Sequence, residues 1–171
     1  MLFLKALSFT TLAVLFALIF IGGYVSASGV GLTCPEWPLC PRGLLPHEDF
    51  VIEYIHRSVA ATTGLLVIAT MAFTLKSKKS TRGMKIASII AAGAVIGQIT
   101  LGAIVIVERL HAVLVTAHLA LGLVLFSMVL ITVLSAFRID DDNNSKKIRG
   151  PEASSNLSNR RSNNTPTTAK N

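Results

Sequence analysis

Charge is scarce in this sequence. Only 15% of its 171 residues are charged, while 51% are hydrophobic. A soluble domain carries roughly 25% charged residues, so the composition excludes an ordinary soluble globule and fits a membrane protein. Acidic residues are the rarer sign, nine against sixteen Lys and Arg, for a net charge of +7. Aromatics make up only 6%, with one Trp. No nucleic-acid-binding motif is present, and few aromatics are available to interleave with the basic residues, so the positive balance does not mark a nucleic-acid partner. Cysteine occurs only at Cys34 and Cys40. That excludes a disulfide framework and leaves one bond or one reactive pair.

What is abundant is long apolar runs. A membrane helix needs about 20 such residues, and four runs suffice: helices are expected over about 2–25, 51–75, 86–107 and 111–137. Val25-Ser26-Ala27 resembles a signal-peptide cleavage site. The run before it is long for a signal core, so a retained helix is expected. Residues 26–50 hold several Gly and Pro and read as a loop. Glu108-Arg109-Leu110 is a very short turn, making the third and fourth helices antiparallel neighbours. Residues 1–137 therefore form one domain, an all-α integral membrane four-helix bundle. From Arg138 the composition turns to Asp, Asn, Ser, Lys, Thr and Pro, as expected of a disordered tail over 138–171. The segment from Lys76 to Lys85 and that tail hold twelve of the sixteen Lys and Arg. The positive-inside rule then puts both termini in the cytoplasm and the cysteine loop outside a cell membrane.

Within the apolar runs a few groups stand out. Ionisable side chains inside a bilayer are costly and suggest function. Glu53, His56 and Arg57 open the second helix, and His118 lies in the fourth. At about 1.5 Å per residue His56 lies about 7 Å into its helix and His118 roughly 12 Å into its own. Both helices run in the same direction, so the imidazoles can face each other. Two imidazoles in an apolar slot suit axial ligation of a haem iron. The plainer alternative is that each only hydrogen-bonds a neighbouring helix. Gly64 and Gly122 roughly align with the histidines and could make room for a flat macrocycle. Gly93 and Gly97 read as helix packing. Glu53 shares a face with His56. It is either a proton acceptor or a carboxylate that is solvated or paired with Arg57 or Arg109. Arg57 could reach a haem propionate or snorkel to the interface. His111 shares the face of His118 and could touch a propionate or be an alternative ligand; His47 is a weaker candidate. Gln98 could hydrogen-bond the ligand or join helices. Cys34 and Cys40 could form a structural disulfide or a redox pair.

Gly-Leu-Thr-Cys-Pro-Glu-Trp-Pro-Leu-Cys in the first loop, Glu-Tyr-Ile-His-Arg at the start of the second helix and Ala-His-Leu-Ala-Leu-Gly in the fourth resemble the haem A synthase family of cytochrome oxidase assembly proteins. The resemblance covers roughly residues 5–137. It implies oxidation of a methyl group of haem O to a formyl through successive hydroxylations. It also implies His56 and His118 as ligands of haem iron, Glu53 as the catalytic carboxylate, Cys34 and Cys40 as a disulfide pair, and haem b or haem O as the bound group. Typical members have eight helices in two halves, whereas this chain has one half, like the short archaeal-type members. A homodimer or higher oligomer is therefore expected, with haem O synthase and cytochrome oxidase subunits as further possible partners. The competing readings are a non-catalytic b-type cytochrome or haem carrier, and a membrane thiol–quinone oxidoreductase using the cysteines.

Overall fold

The computed structural model describes the backbone of residues 2–29 and 51–163, and side chains over 2–29 and 51–139. Four helices result: α1 (Leu2–Ser28), α2 (Val51–Lys76), α3 (Arg82–Val107) and α4 (Ala112–Asn163). Each is long and apolar enough to cross a membrane, α4 over Ala112–Ile139. Among the described residues there is no strand. The helical spans follow from the bilayer's demand that every backbone polar group be satisfied within its own segment.

The helix ends differ slightly from expectation, each for a local reason. α1 runs to Ser28 and stops where Gly29 takes a φ of 73°, the left-handed conformation that ends many helices. α3 starts at Arg82 rather than 86 because Thr81 caps it, its hydroxyl accepting from the Met84 N–H at 3.3 Å. α4 continues past Phe137 to Asn163, where the sequence suggested an irregular tail; no Gly or Pro interrupts 138–149. Contacts divide the chain after Ala136, and residues 2–136 are described here by themselves.

The core draws on all four helices: Leu15 of α1, Val67 of α2, Ala91 and Val95 of α3, and Leu125 and Val129 of α4. Alanines on α3 let the helices approach closely, as membrane packing requires. α1 and α2 are antiparallel: Phe3 meets Phe73 edge-on with ring centroids 4.9 Å apart, and Gly22 meets His56. Between these contacts lies a buried pair of hydroxyls, Thr11 and Thr70, 2.9 Å apart. The Thr11 hydroxyl donates to the Leu7 carbonyl at 2.8 Å, so Thr70 is the donor between them.

α3 and α4 are joined by the expected tight turn, residues 108–111. Arg109 and Leu110 both have positive φ, 50° and 63°. That is uncommon for residues with a Cβ. The turn is held by Leu110 N–H to the Val105 carbonyl at 2.8 Å and Arg109 N–H to the Ile106 carbonyl at 3.1 Å.

Candidate functional site

The polar groups gather at one end of the bundle, where α1 and α3 end and α2 and α4 begin. His56 lies five residues from its helix end and His118 six. At about 1.5 Å per residue both are about 7–9 Å deep. The imidazoles are half-buried. Among the described residues Nδ1 of each is buried with no hydrogen-bond partner.

Each ring rests against a glycine of the preceding helix. A Cβ built on Gly22 of α1 would lie 3.0 Å from Cε1 of His56; one on Gly102 of α3 would lie 3.4 Å from Cε1 of His118. The sequence reading did not single out these two glycines. Their only sequence signal is depth: Gly22 is six residues and Gly102 five from the same end of the bundle. The glycines it did align with the histidines face elsewhere. Gly64 faces Ile99 and Val95 of α3, and Gly122 faces the Gln98 amide. Gly97 packs on Leu121, in keeping with a packing role, while Gly93 has nothing within 4 Å.

Glu53 is 2% exposed and accepts a hydrogen bond from Arg57 Nη2 at 2.6 Å, an i,i+4 ion pair on α2. Pairing with Arg57 is among the alternatives open from sequence, and it is found. The guanidinium offsets the cost of a buried carboxylate, which alone would be prohibitive in apolar surroundings. Gln98 reaches across from α3 and donates Nε2–H to the His118 carbonyl at 3.0 Å, leaving Oε1 buried without a partner. The glutamine thus holds the ligand candidate's backbone. His111 sits exposed just before α4, its carbonyl accepting from the Leu114 and Val115 N–H groups at 2.9 and 3.1 Å. Cys34, Cys40 and His47 lie outside the described residues.

Among the described residues no three His, Cys, Asp or Glu cluster as a protein-built metal cage would need. His56 and His118 form a two-imidazole set that could hold a metal bringing further ligands of its own.

Comparison with known proteins bears directly on that set. Residues 46–158 match the model of the cytochrome oxidase assembly protein family, a span holding Glu53, His56, Arg57, Gln98, His111 and His118. This chain belongs to the haem A synthase family. A heme A synthase of Bacillus licheniformis is 34% identical over 140 residues, covering 80% of this chain and 46% of its own length. Another, of Exiguobacterium sibiricum, is 32% identical over 132 residues, covering 74% and 44%. A third, of Geobacillus kaustophilus, is 30% identical over 137 residues, covering 78% and 43%. The chain thus spans less than half the length of these relatives. The family match begins after α1, so Gly22 lies outside it whereas Gly102 lies inside.

Proposed function

We propose that this chain is a membrane oxidoreductase of haem A biosynthesis, oxidising the methyl group of haem O to a formyl. One observation carries the reading: His56 and His118 lie at one level on α2 and α4, half-buried among apolar helices. Imidazoles in an apolar interior call for a function, and each could hold a haem iron through Nε2. The residues therefore fit the group. Bound there, haem supplies the iron's redox chemistry and, as haem O, the methyl group to be oxidised; haem b is the alternative resident.

The chain's own residues contribute orientation and proton handling. With water as the oxygen source, converting a methyl to a formyl gives up four electrons, which must pass to an external acceptor, and four protons, and Glu53, one turn from His56, is the carboxylate placed to accept protons. Arg57 pairs with that carboxylate and is a candidate to hold a haem propionate. His111, at the mouth of the bundle, is the second candidate for a propionate. Gln98 acts through the His118 backbone. Cys34 and Cys40 are proposed to form a disulfide in the outer loop. We place that loop outside the cell membrane, with the basic 76–85 segment and both termini in the cytoplasm. A homodimer or higher oligomer would supply the second half that the longer relatives carry in one chain. Haem O synthase and cytochrome oxidase subunits are the proposed neighbours in assembly.

A second reading, a non-catalytic haem carrier, draws on one observation: Glu53 is engaged by Arg57. The deciding experiment is chromatography of haem extracted from the purified protein, expressed with and without a haem O source. Haem A or hydroxylated haem appearing only with haem O supports the synthase, and Glu53→Gln should then retain haem but lower conversion by about 10²–10⁴-fold. Haem b alone under both conditions overturns the synthase in favour of the carrier. No haem at all overturns ligation by His56 and His118.

A further inference from the structure

The two imidazoles are supported in the same unusual way. Ligand histidines almost always donate their second ring nitrogen to a carboxylate, a carbonyl or water, and that bond fixes the ring. Among the described residues Nδ1 of His56 and of His118 is buried without any such partner. What lies beside each ring instead is a bare glycine. The two contacts share their order. At Gly22 the added Cβ would meet Cε1 first at 3.0 Å, Nδ1 next at 3.6 Å and Nε2 at 3.9 Å; at Gly102 it would meet Cε1 first at 3.4 Å and Nδ1 next at 3.9 Å. The same edge of both rings therefore faces the backbone of the preceding helix.

We infer that Gly22 and Gly102 are positioning residues, which set the planes of the His56 and His118 imidazoles by close backbone contact in place of a hydrogen bond to Nδ1. The contact lies nearer Nδ1 than Nε2 in each ring, so Nε2 is the nitrogen left freer to bind a metal. A methyl at Gly22 would press on the His56 ring, which must then rotate or move along its own helix, whereas one at Gly102 would only just come into ordinary contact with the His118 ring. Gly22 leaves less room than Gly102, so the His56 ring is the more sensitive. The purpose of the contact rests on the ligation proposed above; the contact itself does not.

The molecule contains its own controls. Gly23, next to Gly22, and Gly93, on α3, have nothing within 4 Å of an added Cβ. Alanine favours a helix over glycine at all four positions, so a selective effect at two of them does not come from a weakened helix. The test uses the purified full chain and four variants, Gly22→Ala, Gly102→Ala, Gly23→Ala and Gly93→Ala. Each is titrated with haemin and examined by electron paramagnetic resonance of the oxidised low-spin form, whose g values report the relative orientation of the two imidazole planes. Each is also prepared without haem, with ¹³C at histidine Cε1, for NMR. Gly22→Ala should weaken haemin binding by about 10–100-fold, the range found when support around a metal ligand is lost. It should also shift the g values, with Gly102→Ala shifting them less and both controls matching wild type. In the haem-free protein Gly22→Ala should move the His56 Cε1 resonance and Gly102→Ala that of His118. Identical spectra for Gly22→Ala and Gly23→Ala would overturn the inference, with or without haem. If the wild type takes up no haemin while the Cε1 resonances still move as stated, the ring contacts stand and the ligation reading fails.

Discussion

The α1–α2 half and the α3–α4 half solve one problem with different restraints. Each sets a histidine ring against a glycine of the preceding helix. In the α3–α4 half the connection is a tight turn with two left-handed residues, and Gln98 holds the His118 carbonyl. Backbone and ring are both fixed there. In the α1–α2 half no side chain among the described residues bonds the His56 backbone; that helix carries the Glu53–Arg57 ion pair instead. On the proposed ligation this difference would divide the labour, with His118 the anchored ligand and His56 the one coupled to acid–base chemistry. Pinning one wall lets the other carry the ionisable groups.

The comparison can be broken most forcefully at the histidines. His56→Ala and His118→Ala should each abolish the low-spin bis-imidazole spectrum of the haemin-loaded protein. Added imidazole should restore it better in His118→Ala, because Gln98 still binds the backbone there and preserves the vacated slot. Equal rescue in both would erase the asymmetry. A smaller effect separates the two glycines that face α3. Gly122→Ala would put a Cβ 2.6 Å from Gln98 Nε2, whereas Gly64→Ala would meet Ile99 Cδ1 at an ordinary 3.7 Å. The Gln98 amide can swing away only by giving up the His118 carbonyl, at a cost of about 1–3 kcal/mol. Gly64→Ala should be close to neutral. Thermal unfolding in detergent checks both, and an unchanged Gly122→Ala would mean that Gln98 does not clamp α4. The smallest effect belongs to the turn. Arg109 is exposed with a φ of 50°, so Arg109→Gly should relieve backbone strain and stabilise by up to about 1 kcal/mol. A destabilised variant would show that the Arg109 side chain has a role its exposure does not reveal.

The membrane helices were readable from sequence because a bilayer imposes length and polarity limits that a run of side chains displays directly. His56, His118, Glu53 and Gln98 were readable for the same reason, as polar groups in an apolar setting. What each touches was not. The i,i+4 spacing allowed Glu53 to pair with Arg57, but solvation or Arg109 fitted equally well. Gly122 seemed to clear space for a ligand, yet it clears space for Gln98, a partner 24 positions away on another helix. Gly22 and Gly102 gave no signal beyond depth, because glycine in a membrane helix usually serves helix packing. Where α3 starts depended on the Thr81 hydroxyl, a local cap that the apolar pattern does not weigh.

The hydroxyl pair of Thr11 and Thr70 has a consequence far from where it sits. Lipid tails are as apolar as the helix surfaces, so greasy packing alone discriminates poorly between one alignment of α1 on α2 and another shifted by a turn. A donor and acceptor that must meet tell those alignments apart, because separating the pair takes from Thr70 the acceptor its hydroxyl uses. A shift of one turn, about 5.4 Å, would separate the hydroxyls and carry Gly22 off the His56 ring. The pair thus works as a vernier: set in the apolar interior, it dictates which glycine arrives opposite the histidine some four turns of helix away.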